Sequence, residues 1–315
     1  MEEIPCIFCN IPSEDTAIQE NGFTGKRCPE CGLIYISPRP SFEEIVDLYG
    51  HDTAHISAED HIADELRKRL YARYHLKKIR QVIRSGELLE IGAGAGFFLN
   101  EAEQAGFIPH GLEFNPIQAE YIRSELNIPC EESPLSRTVF NGKKFELIFH
   151  CDVISHLFNP VDDFQVMHDL LSEDGILVFE TGNYAEMNPR WYRYIDTFMY
   201  PDHLFFFSVK NLKQLLEMSG FELIRIHRYS ILPQLRMKTL FSRLKEIIRG
   251  GDGTNSPAAG QKPDGGRKNR TRSLAGDLKV WANYLLRYHL GKIVPKKGRP
   301  QTMIVIARKK RPGSL

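Results

Sequence analysis

The chain is 315 residues long, 42% hydrophobic and 26% charged, which is ordinary for a soluble fold with a full core. No apolar run approaches the ~20 residues that span a bilayer, and the start MEEIPCIFCN lacks the basic and apolar regions of a signal peptide, so a cytoplasmic protein is expected. The net charge of +1 hides a segregation: residues 231–300 carry 16 Lys+Arg against 4 Asp+Glu and residues 301–315 add four positive charges, which leaves −15 on the first 230 residues and argues against a broad nucleic-acid surface there.

The first feature along the chain is a pair of C-x-x-C motifs, Cys6/Cys9 and Cys28/Cys31, with 18 residues between them. Each places two thiolates on one tight knuckle, and two knuckles close a tetrahedral four-cysteine zinc site of the ribbon type. Four thiolates leave no open position for water, so the zinc is expected to be structural. The competing readings are disulfides, which a chain without an export signal seldom keeps, and a redox motif, which needs no second copy. Residues 1–40 are thus expected to form a zinc-ribbon module. Cys130 and Cys151 fall on predicted strands and read as buried small apolar residues.

A helical lead-in is expected over 41–84. It opens on Ser41 and Glu44 in capping-box spacing and continues through the long amphipathic stretch AEDHIADELRKRLYARYHLKKIRQVI. From 85 to 230 strands and helices alternate, which predicts a parallel sheet with helices on both faces. Strands are expected at Leu88–Ile91, Pro109–Phe114, Ile128–Glu131, Leu147–Cys151 and Ile176–Glu180. An aromatic insertion, TGNYAEMNPRWYRYIDTFMYPDHLFFFS, leads to a further helix and the strand FELIRIHRY. Residues 231–300 hold two basic amphipathic patterns, LRMKTLFSRLKEIIRG and SLAGDLKVWANYLLRYHLGKIV, around the linker GGDGTNSPAAGQKPDGGRKNRTR, whose composition predicts disorder. The last strand, QTMIVIARK, falls in 301–315.

The stretch LLEIGAGAGFFLNEAEQAGFIPHGLEF reads as strand, glycine turn, helix and a second strand ending in an acid. A dinucleotide turn wants G-x-G-x-x-G; here Gly92, Gly94 and Gly96 give G-x-G-x-G and Phe97 takes the place of the third dinucleotide glycine. Glu90 would repel a pyrophosphate but can hold a cationic amino group, so a nucleoside ligand with an amino acid end fits better. LLEIGAGAGFF resembles the first motif of class I S-adenosylmethionine-dependent methyltransferases, and Glu113 matches the acid that takes the two ribose hydroxyls in that family. FELIFHCDVISHLFNPVDDF, GILVFETGN, HLFFFSVKNLKQLLEMSGFELI and QTMIVIARK resemble its later segments in order. The resemblance implies a Rossmann-like α/β fold, a seven-stranded mostly parallel sheet with an antiparallel last strand, and S-adenosyl-L-methionine as cofactor. The paired cysteine knuckles are similar to those of bacterial zinc-ribbon methyltransferases, some acting on sugar nucleotides and carrying a further large C-terminal domain; the predicted last strand lies near residue 315, so no such domain is expected here and the pattern departs from that group.

The resemblance assigns cofactor contact to Glu90, Gly92, Gly94, Gly96 and Glu113, with the adenine near Glu132 and Ser133. Asp152 and His156 fall at the carboxyl edge of the predicted sheet, where ligands bind in open α/β folds; the alternative roles are a turn cap for Asp152 and a carbonyl partner for His156. His203 is a candidate base for a hydroxyl nucleophile, or a tie between insertion and sheet. Tyr184, Trp191, Tyr192, Tyr194, Phe198 and Tyr200 either wall the acceptor pocket or pack as a lid. In the second basic pattern Leu274, Leu278, Trp281, Leu285 and Tyr288 are expected on one face, with Lys279 and Arg287 nearby, and the segment 231–300 reads either as a membrane-surface element or as ordinary helices packed on the domain. The expected function is methyl transfer to an O or C nucleophile of a small or lipid-linked metabolite, such as a sugar or glycan precursor. An RNA methyltransferase, which the acidic body disfavours, and a non-catalytic membrane-docking protein are the alternatives.

Overall fold

The computed structural model describes residues 1–50, 57–195, 197–237, 274–293 and 297–310. The first hairpin pairs β1 (Thr16–Glu20) with β2 (Phe23–Arg27) across Asn21–Gly22. Both turn residues have positive φ, 52° and 82°, as the two-residue hairpin turn demands of an Asn-Gly pair. β3 (Ile34–Ile36), fully buried, adds antiparallel to β2.

The lead-in begins with α1 (Phe42–Gly50), and the capping box is present: the Ser41 amide donates to Glu44 Oε2 at 2.8 Å and the Glu44 amide to Ser41 Oγ at 3.3 Å. The long amphipathic stretch is two helices, α2 (Ala58–Ala63), capped by Ser57, and α3 (Glu65–Ile79), broken at Asp64. Arg69 and Arg73 clamp α3 to α4 (Phe97–Gln104) through the buried Glu101.

The alternation after residue 85 produces β4 (Gly86–Ile91), α4, β5 (Phe107–Leu112), α5 (Pro116–Glu125), β6 (Cys130–Glu131), β7 (Phe145–Cys151), α6 (Pro160–Leu170) and β8 (Leu171–Gly182). Strand β8 starts five residues before the predicted one and ends two after it, and β6 keeps only the last two residues of its prediction. After the aromatic insertion come β9 (Phe205–Phe206), α7 (Val209–Met218), β10 (Phe221–Ser230), α8 (Leu274–Leu285) and β11 (Gln301–Lys309). The main sheet runs β10-β11-β8-β7-β4-β5-β6, with β11 antiparallel to both neighbours and β4 through β8 parallel. This is the expected Rossmann-like seven-stranded α/β fold. Its carboxyl edge, where β4, β5, β7 and β8 end, is where such a sheet binds ligands.

The ribbon is sewn to this sheet. β9, from the end of the aromatic insertion, pairs with β3 and completes a second sheet, β1-β2-β3-β9. Asn211 on α7 donates through Nδ2 to the Cys31 carbonyl at 3.1 Å. Cys6, Leu33 and Ile36 pack in the same apolar core as Leu89, Phe179, Phe205 and Leu212.

The second basic pattern is helical as expected, but its face divides. Leu274, Leu278, Trp281 and Leu285 are exposed, whereas Tyr288 is fully buried. The reason is a π-helical turn over Leu286–Leu290, whose wider winding shifts the register and turns Arg287 and Tyr288 toward the sheet. Of the first basic pattern only residues up to 237 are described, and 232–237 are helical; the predicted disordered linker lies outside the described residues.

Candidate active site

The glycine turn connects β4 to α4, and its three glycines have different reasons to be glycine. All have positive φ: 67° at Gly92, 55° at Gly94 and 72° at Gly96. A Cβ on Gly92 would lie 2.6 Å from Val153 Cγ2, and one on Gly96 2.7 Å from Ile122 Cγ1. Those positions are closed by packing. A Cβ on Gly94 would meet only the ends of polar side chains, Gln118 Oε1 at 3.3 Å and His61 Nδ1 at 3.6 Å, so this residue faces the space above the turn.

Two buried acids flank that space. Glu113 follows β5, accepting from the Gly94 amide at 2.7 Å and the Asn115 amide at 2.9 Å. Burial pushes its carboxyl up, while the amides of Asn115, Gly94 and Phe114 oppose the rise. Glu90, 5% exposed near the end of β4, has a buried Oε2 with no hydrogen-bond partner among the described residues. Burial holds its carboxyl well above the usual carboxylate range; Lys68 on α3 pulls it back and Glu113 adds to the rise. A buried carboxylate oxygen left unpaired is costly unless a donor arrives, and a ligand ammonium is such a donor. Gln118 Oε1 is a second buried acceptor without a partner among the described residues. Glu132 and Ser133 lie directly after β6; Glu132 is half-exposed and pairs with Arg123 at 3.7 Å.

Next along the edge, Asp152 follows β7 in a left-handed backbone conformation, φ 57°, which Asp tolerates better than most residues. Its amide donates to the Glu180 carbonyl at 3.0 Å. Its surroundings and the charge of Glu180 raise its carboxyl, against Arg287, Lys68 and His156. His156 Nδ1 lies 2.9 Å from the Asp202 carbonyl oxygen and 3.2 Å from Asp202 Oδ1. Burial lowers its affinity for a proton, but Asp202 outweighs this and the imidazole is shifted up. The His203 ring stands edge-on to it, centroids 4.5 Å apart.

The structure adds residues to this edge that motif spacing does not reveal. Glu180 on β8 is fully buried and receives three donors: His75 Nε2 at 2.7 Å and Tyr288 Oη at 3.0 Å on one oxygen, Arg287 at 2.5 Å on the other. Burial alone would raise its carboxyl; Arg287 and His75 reverse that and hold it at about 2. A His75 ring nitrogen, Cys151 Sγ and a Glu180 oxygen lie within 4.8 Å of one another. Arg287 on the same carboxylate already supplies its counter-charge, so a cation has little to gain there. Cys151 is therefore half-buried at the polar edge rather than a buried apolar filler, whereas Cys130 is buried. The one local sign of this cluster is an acid, Glu180, directly after the apolar run 176–179 of β8.

The aromatic insertion packs chiefly on the ribbon. Tyr192 Oη accepts from Arg27, Glu20 accepts the amides of Phe198 and Tyr200, and Tyr200 is buried. Trp191 and Tyr194 pack on each other, centroids 5.6 Å apart. Tyr184 differs: it sits close enough to Asp152 and Arg287 for both to act on its hydroxyl.

The four ribbon sulfurs lie within 4.8 Å of one another, with Cys6 and Cys31 at 3.5 Å. That is far beyond a disulfide bond of ~2.05 Å and close to the ~3.8 Å edge of a tetrahedron with ~2.3 Å Zn–S bonds. Amides on each knuckle fold back on it: Asn10 donates to the Cys6 carbonyl and Gly32 to that of Cys28. The donor set fits zinc, and Cys6, Cys9, Cys28 and Cys31 are the residues that could hold it.

A family described as methyltransferase domain matches residues 61–226, more than half of the chain, from α2 to β10. The ubiquinone biosynthesis O-methyltransferase of Haemophilus ducreyi is 27% identical over 107 residues, covering 31% of this chain and 45% of that protein, so the chain spans under half the length of this relative. Among solved structures, the cyclopropane synthase of Mycobacterium tuberculosis is 15% identical, with 74% of this chain and 84% of that chain covered and a TM-score of 0.46. Coclaurine N-methyltransferase, bound to N-methylheliamine and SAH, is 14% identical, with 76% and 72% covered and a TM-score of 0.45. No helix among the described residues is long and apolar enough to cross a membrane. The glycine turn, both flanking acids and the whole parallel part of the sheet fall inside the matched segment, and the chain belongs to the methyltransferase-domain family.

Proposed function

We propose that the protein is an S-adenosylmethionine-dependent methyltransferase that methylates an oxygen nucleophile on a small or lipid-linked metabolite. The observation that carries the reading is the pair of buried acids around an open Gly94, one of them, Glu90, with an unpaired carboxylate oxygen. When bound, the cofactor supplies a methyl group on a sulfonium that leaves as a neutral thioether. In this reading Glu90 receives the amino group of the cofactor's methionine end. Glu113, its carboxylate held by the Gly94 and Asn115 amides, receives the ribose hydroxyls, and the backbone at Gly94 lets the ligand approach closely. Asp152 closes the neighbouring edge. Methylation at oxygen rests on the name of the Haemophilus ducreyi relative.

Oxygen methylation needs a proton acceptor near neutral pKa. His156, biased toward its protonated form by Asp202, is the poorer candidate, and His203, its ring against His156, takes that role here. A surface stripe of Leu274, Leu278, Trp281 and Leu285 on a basic segment supports peripheral contact with an anionic membrane, where a lipid-linked acceptor would be met.

Calorimetry tests the reading. The wild-type protein should bind S-adenosylhomocysteine, and Glu113→Ala should weaken that binding at least tenfold. His203→Asn should leave it unchanged and lower turnover of any accepted substrate by about 10²-fold or more. No binding by the wild type, or equal binding by Glu113→Ala, overturns the assignment.

A further inference from the structure

We infer that Arg287 forms an acceptor subsite for an anionic oxygen group, a carboxylate or a phosphate, at the carboxyl end of β8; the word acceptor rests on the methyltransferase reading, the anion site does not. Arg287 comes from an insertion more than 100 residues beyond Glu180, yet its guanidinium reaches the sheet edge, with 17% of the side chain exposed. The helix leading to it, α8, has no buried residue; only the π-helical turn brings Arg287 and Tyr288 inward. Such turns recur at functional sites.

The local hydrogen bonding leaves part of the guanidinium unused. Arg287 donates to Glu180 at 2.5 Å and to Thr302 Oγ1 at 3.0 Å through one nitrogen, while its buried Nε has no partner among the described residues. Glu180 is saturated by His75, Tyr288 and Arg287, so it holds the guanidinium without taking the remaining donor. The Tyr71 ring supports the guanidinium, its centroid 5.1 Å from Cζ, and Arg67 lies on the same ring at 6.0 Å. Arg67 and Lys68 add positive potential, while Asp64 pairs with Arg67, Asp152 opposes both Arg287 and Lys68, and Glu90 and Glu113 also draw on Lys68. A guanidinium whose orientation is fixed and whose Nε–H is unsatisfied suits an oxyanion better than a neutral group. An ion pair that merely pinned the insertion would need neither the spare donor nor the second arginine.

The test titrates the full-length protein, loaded with S-adenosylhomocysteine, with benzoate and separately with inorganic phosphate in 0.15 M NaCl, followed by calorimetry. Saturable binding of one of them, weakened at least tenfold by Arg287→Gln and less by Arg287→Lys, supports the subsite, and the anion preferred names its class. The double variant Glu180→Gln/Arg287→Gln removes both buried charges at once and covers the case in which the single variant fails to fold. It should also lose the anion. No binding of either anion by the wild type, or equal affinity in wild type and variants, overturns the subsite. If the wild type binds no S-adenosylhomocysteine but still binds an anion through Arg287, the subsite stands and its assignment to a methyl acceptor falls.

Discussion

Gly94 and Gly96 are two positions apart on one turn, but alanine should have different consequences at each. At Gly96 the new Cβ meets Ile122 at 2.7 Å and Leu126 at 2.9 Å in the core behind α4, and φ is 72°. Overpacking and left-handed strain together should cost about 2–4 kcal/mol. At Gly94 the nearest atom is a side-chain oxygen at 3.3 Å, so only the backbone conformation is opposed, about 1–2 kcal/mol. Denaturant unfolding should therefore rank Gly96→Ala as the less stable protein, while calorimetry should show Gly94→Ala losing more S-adenosylhomocysteine affinity for each kcal/mol of stability lost; the reverse ranking would move the ligand away from Gly94. This contrast was only half legible in the sequence. Gly92, Gly94, Gly96, Glu90 and Glu113 lie within 24 residues on one strand–turn–helix–strand unit, whose spacing determines its geometry. Residues 75, 180 and 287 share no such unit. They meet because three distant elements converge on one edge, and beyond the acid at Glu180 nothing local in the sequence records that convergence.

The same limit appears at the scale of elements. Apolar spacing in the second basic pattern gave a helix, which is present as α8, and an amphipathic face, of which Leu274, Leu278, Trp281 and Leu285 are exposed. Periodicity assumes a constant 3.6 residues per turn, so it carried that face on to Tyr288; the π-helical turn breaks the period and sends Tyr288 into a cluster with Tyr74, with which it stacks at 4.0 Å, and Tyr229. The two halves of the segment thus face different surroundings, and they should separate experimentally. Trp281→Asp and Leu278→Asp, on the exposed half, should reduce flotation with vesicles containing about one-third phosphatidylserine at low salt and leave S-adenosylhomocysteine binding intact. Unchanged flotation of both variants would remove membrane contact from the reading of this helix.

At the scale of the whole molecule, the ribbon behaves as part of the catalytic fold's core. The second sheet gains its fourth strand from the methyltransferase half of the chain, because β9, entered from the aromatic insertion, pairs with β3. The insertion in turn leans on β1 and β2 through Glu20, Asn21 and Arg27. If the four thiols, packed within 4.8 Å of one another, hold a zinc ion, losing it would remove more than two knuckles, because the wall formed by β3, β9 and the aromatic residues would lose its outer support. The purified protein is expected to carry one zinc per chain. Stripping it with a strong chelator, or substituting Cys28→Ser, should lower the melting temperature of the protein as one cooperative transition, because Cys6, Leu33 and Ile36 share a core with Leu89 and Phe179. Acceptor turnover should fall further than S-adenosylhomocysteine affinity, since the insertion that leads to His203 is hydrogen-bonded directly to β1 and β2, whereas Gly92 and Gly96 pack on Val153, Ile122 and Leu126. Two separate transitions, with the metal-free protein melting at the original temperature in the second, would show that the ribbon folds as an independent unit and that the shared core does not couple them.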